Sequence, residues 1–485
     1  MMRYLLGFSL FILLGCSTKP TTTEFTILDF ENALAASYNY LEVFGDHYLP
    51  INDLASDQLG VPGFGSHLST GSQIEELVRN QWTPNNNMLT NMWNDLYNGV
   101  NAANNALAIA TEVKEDIDED RLAEARALRA FNFFLLMDVF GNIQAFKEEV
   151  LLGTVVVPQS TRAEVFSFIE AELIAMIPLL KADASYGKMT RTVAQMILAK
   201  LYLNAEVYTG TPQWAACRDA CAAIIASGNY QLVGDYFDLF ATDNHILSAD
   251  EIILASPDAP NTHPSLLSVH PAQIDTKSPS TSGFANWAAT PELFIQFDSI
   301  NDLRAGSFLR GTQLTSAGNA ILDVAGDSVQ YSFNFSRSNQ FINGYRVLKY
   351  AVDNTKTNYG DNDFVIFRYA DVLLMQAEAL NELGESASAI QLINEVRERA
   401  YSVASPLSAG DFTQETLRTQ ILTERSNELF WEGWRRQDLI RQSLFCTATW
   451  TQRLRVPDGC ENLRLFPIPA SILAVNTNLV QNPGY

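Results

Sequence analysis

The chain has 485 residues, 55 acidic against 32 basic, and a formal net charge of −23. So acidic a surface disfavours nucleic acid and anionic polymers as general ligands, though a local basic patch can override the average. The length allows one large domain or two intimately packed ones.

The first predicted element is a signal peptide over 1–15: Met1-Met2-Arg3 and then an apolar run from Tyr4 to Leu14, too short to span a bilayer as a stable helix. Leu13-Leu14-Gly15-Cys16 has the small and aliphatic residues that precede a lipidated cysteine, so Cys16 is the expected lipidation site. Cleavage elsewhere, or a signal anchor, are the competing readings. Buried acyl chains contribute roughly 0.8 kcal/mol per methylene, and more than one makes attachment effectively permanent. Removing 1–15 takes away only Arg3, which shifts the net charge from −23 to −24. Residues 16–26 read as a lipidated, flexible polar tether.

Helices follow. From Met88 to Thr111, Leu89, Met92, Trp93, Leu96, Val100, Ala103 and Leu107 recur at three and four residues, which makes one buried helical face. From Asp120 to Phe140 apolar residues nearly encircle the helix, predicting a central position, with Gly141 as its C-cap. Further helical patterns cover 162–181, 190–208 and 213–227. Small residues such as Ala194, Ala199 and Ala205 at the contacts predict stacked helical hairpins of tetratricopeptide type.

From 243 to 363 the character changes. Pro257, Pro260, Pro264, Pro271 and Pro279 interrupt helix and indicate long loops. Val329, Tyr331, Phe333 and Phe335 alternate with polar residues, and Asn343-Gly344 signals a hairpin turn. A final helical pair is predicted from the Tyr369 to Leu380 stripe, the break at Gly384 and the Ala389 to Ala400 stripe. The predicted fold class is mainly α: a tetratricopeptide-like helical-hairpin scaffold with a loop-rich insertion containing short β-hairpins. It divides into an N-terminal helical part, 27–242, and a C-terminal part, 243–485, that carries the insertion and the closing helices. Loops on a rigid scaffold are where binding surfaces commonly lie.

Cys217 and Cys221 stand four apart on a predicted helix, poorly aimed for a bridge, and read as core. Cys446 and Cys460 flank a loop, and bridged and free states both stay open. His47, His67, His245, His263 and His270 have no metal-ligand spacing, so no metal site or cofactor is predicted, and bound calcium is not readable.

Five stretches resemble the SusD/RagB family of outer-membrane nutrient-binding lipoproteins. Trp93-Asn94-Asp95-Leu96-Tyr97 with Asn101 to Leu107 is similar to its early tryptophan, tyrosine and alanine-asparagine helix. Glu124 to Ala130 leading to Phe140-Gly141, and Phe367 to Ala379 with Asn394 to Ala400, resemble its second and third signatures. Glu424 to Leu429 with Glu432-Gly433-Trp434-Arg435 resembles the fourth. The fifth is Leu465 to Pro469 through Gln481-Asn482-Pro483-Gly484-Tyr485. The resemblance implies capture without chemistry: a lipid-anchored protein of the outer membrane, facing the cell exterior, that holds glycan over a SusC-like TonB-dependent transporter. Some relatives bind peptides or glycoproteins. Surface-exported lipoproteins of this kind often carry acid just after the cysteine, where Lys19 stands here, so surface exposure rests on the resemblance alone.

Read from the residues, Arg126, Arg129, Arg368, Glu378, Arg425 and Glu428 stand in otherwise apolar helices, which predicts buried ion pairs between helices. An enzyme rival, an all-α glycoside hydrolase or lyase, would use Glu424, Glu428 and Glu432, expected on one helix face, as acid and base. Arg425, Arg435 and Arg436 among them favour a salt-bridged helix instead. A repeat scaffold or adhesin would leave the loop insertion unexplained.

A glycan needs flat aromatic faces and well-placed amides. Trp82 and Asn85 lie in a polar loop, Gln81 to Asn87, and Phe284, Asn286 and Trp287 lie in the insertion. The expectation is that the two loops converge on a neutral oligosaccharide, with Trp82 and Trp287 stacking and Asn85 and Asn286 hydrogen-bonding. The competing reading is that each tryptophan packs its own loop. Trp93, Trp431 and Trp434 are expected in the core.

Overall fold

The computed structural model describes residues 24–61, 73–148, 157–182, 185–257, 287–315, 317–322, 326–332, 344–351, 362–453 and 455–485. The molecule is mainly helical with small antiparallel sheets. In the N-terminal half the principal helices are α1 (Ile27–Tyr38), α2 (Leu49–Leu54), α3 (Asn87–Glu112), α4 (Glu119–Phe140), α5 (Arg162–Met176), α6 (Arg191–Leu203) and α7 (Trp214–Ser227). α3 packs along α4, α4 along α5, and α6 along α7. Asn86 caps α3 by accepting from the Met88 and Leu89 N–H groups.

α4 is the centre of this half: from Ala123 to Phe140, Arg126 alone is not buried, which is what an all-round apolar helix requires. Gly141 ends it at φ +74°, where a β-carbon would meet the Leu465 side chain at 2.6 Å. Two predicted helices end early. α5 stops at Met176, just before Pro178, and the 190–208 pattern breaks at Asn204.

The insertion has a stem that periodicity did not disclose. β2 (Ile252–Ser256) pairs antiparallel with β8 (Phe364–Arg368), Ile252 opposite Arg368 and Ser256 opposite Phe364, every residue buried. The chain therefore leaves and re-enters the core at one place, and the closing helices follow: α9 (Tyr369–Glu382), α10 (Ser386–Ala400), α11 (Gln414–Leu429) and α12 (Arg435–Arg441). α8 (Pro291–Phe294) lies within the insertion. Phe333, Phe335 and Asn343 lie outside the described residues, so the predicted hairpin there does too. Cys446 and Cys460 are bridged, their Cα atoms 5.6 Å apart, while Cys217 and Cys221 are buried free thiols, as expected.

The predicted ion pairs between helices are present. Arg126 and Arg129 both reach Glu172, at 2.8 and 2.5 Å, tying α4 to α5. Around the stem, five cations (Arg304, Lys349, Arg368, Arg397, Arg399) meet five carboxylates (Glu251, Asp302, Glu424, Glu428, Glu432), with no net charge left over. A second balanced set joins Lys200, Arg425 and Arg441 to Asp371, Glu378 and Asp438. Arg368 is 1% exposed and bonds Glu251, Glu428 and Glu432 at once. Arg368→Leu leaves three buried carboxylates short of a partner, so it is expected to cost about 3–5 kcal/mol of unfolding free energy. The check is the denaturant midpoint at unchanged m-value; a loss of only about 1 kcal/mol would mean a solvated network.

Candidate functional site

Four two-residue strands, far apart in sequence, join edge to edge into one ribbon. β1 (Leu59–Gly60) pairs antiparallel with β3 (Ala288–Ala289), Leu59 opposite Ala289. Ala289 donates its N–H to the Tyr345 carbonyl at 2.9 Å. The residues after Tyr345 form β7 (Arg346–Val347), which pairs with β4 (Phe308–Leu309), Phe308 opposite Val347 and Leu309 opposite Arg346. The order across the ribbon is β1–β3–β7–β4; β5 (Gly311–Thr312) and β6 (Gln330–Tyr331) form a separate antiparallel pair.

Strands this short have no independent stability. The ribbon is held from beneath and from its free edge. Trp287, at the start of β3, meets Trp431 edge-on with ring centroids 6.1 Å apart, and its carbonyl accepts from the buried Arg346 guanidinium at 2.6 Å. The Gln452 side-chain amide brackets Val61, accepting from its N–H at 2.9 Å and donating to its carbonyl at 2.7 Å, as another strand would. By chain connectivity, residues 62–72 leave from this ribbon, while 258–286 and 333–343 lead back into it. The ribbon is thus the common root of three long connecting segments.

The structure places the predicted site residues differently from expectation. Trp82 is only 3% exposed: its indole N–H donates to the Tyr485 hydroxyl at 2.6 Å and its ring meets Phe466 edge-on at 4.8 Å. Its stacking role is corrected, because an indole buried with its N–H satisfied is core. Trp287, 7% exposed, likewise offers no open face and serves as the root of β3. Asn85 is exposed. Phe284, Asn286 and Cys16 lie outside the described residues. The Trp82 loop is fastened to the C-terminal segment, with Ala470 donating to the Pro84 carbonyl at 2.9 Å, whereas the Trp287 segment is fastened to β1. What the sequence missed is that residues 59–61, 287–289 and 345–347 lie side by side; strands of two residues carry no periodicity to betray them.

The carboxylates of the enzyme rival are unsuited to its chemistry. Glu424 and Glu428 sit on α11, but that helix ends at Leu429 and Trp431 turns to φ +56°, so Glu432 is not on the same helical face. Glu424, Glu428 and Glu432 are 0%, 0% and 2% exposed, each paired with a guanidinium or ammonium group. Burial pushes the Glu428 carboxyl up, but Arg399, Arg368 and Arg304 together hold it well below the usual carboxylate range. A general acid needs the reverse.

Two family comparisons cover most of the sequence. Residues 325–485 match the SusD family, and residues 18–203 match a family described as starch-binding and associating with the outer membrane. The chain belongs to the SusD/RagB family. It is 27% identical over 439 residues to SusD-like protein P25 of Formosa agariphila, covering 82% of this chain and 80% of that one. It is also 27% identical over 411 residues to the starch-binding protein SusD of Bacteroides thetaiotaomicron, covering 75% and 72%. A SusD homolog of known structure from Bacteroides thetaiotaomicron superposes with a TM-score of 0.78 at 21% identity, over 96% of this chain and 98% of that one. Of these relatives, the SusD of Bacteroides thetaiotaomicron is named a starch-binding protein. In this SusD/RagB chain β3, β4 and α8 fall at 204–324, between the two matched stretches.

Beneath β1 lies a buried acid that sequence reasoning did not single out. Asp53 is 0% exposed and accepts from the Gly433 N–H at 3.3 Å. Burial pushes its pKa up to about 8, against that hydrogen bond and Lys349 and with some help from Glu432 and Asp57. Unfolded, the same carboxyl titrates near about 4, so the folded state keeps a proton that the unfolded chain releases, and stability falls as pH rises from about 4 to 8. Asp53→Asn keeps an acceptor for Gly433 and removes that slope. It is expected to stabilise the protein more at pH 8 than at pH 5, by up to a few kcal/mol, about 1.4 kcal/mol per pKa unit. Denaturant midpoints at the two pH values check this; parallel pH profiles for variant and parent would show an ionised Asp53.

Proposed function

We propose that this SusD/RagB protein binds oligosaccharide without cleaving it, at the face rooted on the β1–β3–β7–β4 ribbon. The observation that carries the reading is the ribbon itself: three long segments share one rigid base, in a chain whose relative is named a starch-binding protein. The Trp287 and Trp431 contact fixes that base, leaving contact with ligand to the segments it anchors. Phe284 and Asn286, just before β3, are the proposed stacking and hydrogen-bonding groups, and Asn85 is a more distant candidate on its own loop. In this reading lipid on Cys16 holds the protein at the outer membrane, facing outward, and captured glycan passes to a SusC-like TonB-dependent transporter. Joining binder and pore raises the local glycan concentration at the entrance, so modest affinity suffices.

The test is calorimetry of the full chain against a panel of oligosaccharides, with chromatography of the sugars afterwards. Saturable heat with intact sugar is expected, weakened about tenfold or more by Phe284→Ala, since stacked aromatic groups dominate binding energy. Trp82→Ala is expected to leave affinity unchanged and to lower stability by about 3–5 kcal/mol, as removal of a core indole does. Shortened sugars would make the protein an enzyme, and equal loss of affinity in Trp82→Ala would return that ring to the binding site.

A further inference from the structure

The ribbon carries two cations that the ion networks above do not include, the buried Arg346 and the exposed Arg310. Arg310 follows β4 directly. Phe308 stands opposite Val347 and Leu309 opposite Arg346, and Arg310 and Tyr345 are the residues immediately beyond that last pair. Arg346 is buried against the Trp287 carbonyl.

Arg310 is exposed, and its guanidinium carbon stands 5.3 Å from the centroid of the Phe294 ring. Phe294 in turn meets Tyr345 edge-on at 4.8 Å, and both rings are partly exposed. Among the described residues no carboxylate lies within ion-pair distance of Arg310, although the chain holds 55 acids against 32 bases. The Glu292 carboxylate, two residues before Phe294 in the chain, is engaged by the Thr451 hydroxyl, 3.0 Å from each of its oxygens. A guanidinium held over a ring keeps its planar fork of donors open, and that fork matches a carboxylate or a sulfate in two parallel hydrogen bonds. The adjoining rings offer the apolar surface that a sugar's C–H face needs. Repulsion from the acidic remainder is screened over about 8 Å at physiological salt, so the local cation decides.

We propose that Arg310, with Phe294 and Tyr345, forms a subsite for an anionic sugar unit, a uronate or a sulfate ester. The inference rests on the glycan-binding reading above and assigns it a charged substrate class, against the neutral oligosaccharide expected from the sequence. The experiment is calorimetry of the full chain with an oligogalacturonate, a sulfated galactan oligosaccharide and maltoheptaose, each at low and high sodium chloride. Parent, Arg310→Gln and Arg310→Lys are compared.

The expected result is that one anionic oligosaccharide binds more tightly than maltoheptaose and weakens with salt. Arg310→Gln should lose about tenfold or more of that affinity, the scale of a charge-assisted hydrogen bond, with Arg310→Lys intermediate. Which anionic sugar responds separates carboxylate from sulfate. Preference for maltoheptaose, or an Arg310→Gln variant that binds the anionic sugars as the parent does, would overturn the subsite and leave glycan binding standing. No saturable binding to any of the three would overturn both.

Discussion

The structure depends on charges that have been taken out of water and paired with one another. Arg368 ends the stem strand β8, Glu428 lies near the end of α11, Glu432 lies in the turn beyond, and Glu251 immediately precedes β2. Each of these side chains alone would be costly to bury, and only the complete set, balanced in sign and hydrogen-bonded, removes the penalty. The network therefore acts as an all-or-none fastener. It couples the place where the insertion leaves and re-enters the core to the turn that follows α11. Lys349 extends it by donating to the Phe430 carbonyl at 2.5 Å and Glu432 at 2.6 Å, which draws the end of β7 toward the same turn.

That turn, from Phe430 to Trp434, passes the constraint on to the ribbon. Trp431 supports Trp287 and donates to the Gln58 carbonyl at 3.4 Å, just before β1. Gly433 allows α2 to approach so closely that a β-carbon would lie 2.9 Å from the Leu49 Cα. Its φ of +81° excludes most other residues as well. On the inner side Trp434 covers the Lys200 ammonium at 3.6 Å, linking the turn to the second charge network. Strands of two residues can thus form a fixed base, because the order that they lack is supplied by the core beneath.

The helices were legible because their signal is local. The apolar spacing of α3, the encircled α4 and the α9 and α10 pair broken at Gly384 each lie within one stretch of chain, and the paired arginines could be anticipated from the cost of burying charge. The ribbon was not legible: its partners are separated by tens to hundreds of residues, and its register follows from Trp431, Arg346 and Gln452 rather than from alternation. Trp82 misled for a related reason. Its neighbours Gln81, Thr83 and Asn85 are polar and exposed, yet the ring turns inward onto Phe466 and Tyr485, nearly four hundred residues later. Glu432 was placed on a helix that spacing alone would have continued, whereas the left-handed Trp431 ends that continuation.

The same economy of charge bears on what the protein does. Its helix-borne carboxylates at four-residue spacing are consumed by arginines, and Asp53 of α2, whose pKa burial pushes up to about 8, is fully buried and accepts from the Gly433 N–H. Hydrolysis of a glycoside needs two carboxyl groups facing one bond with room for a sugar between them, and Glu428, held well below the usual carboxylate range by Arg399, Arg368 and Arg304, is a poor proton donor. The acids of the two balanced networks thus act as fasteners of the fold, not as an acid and base arranged around a glycosidic bond.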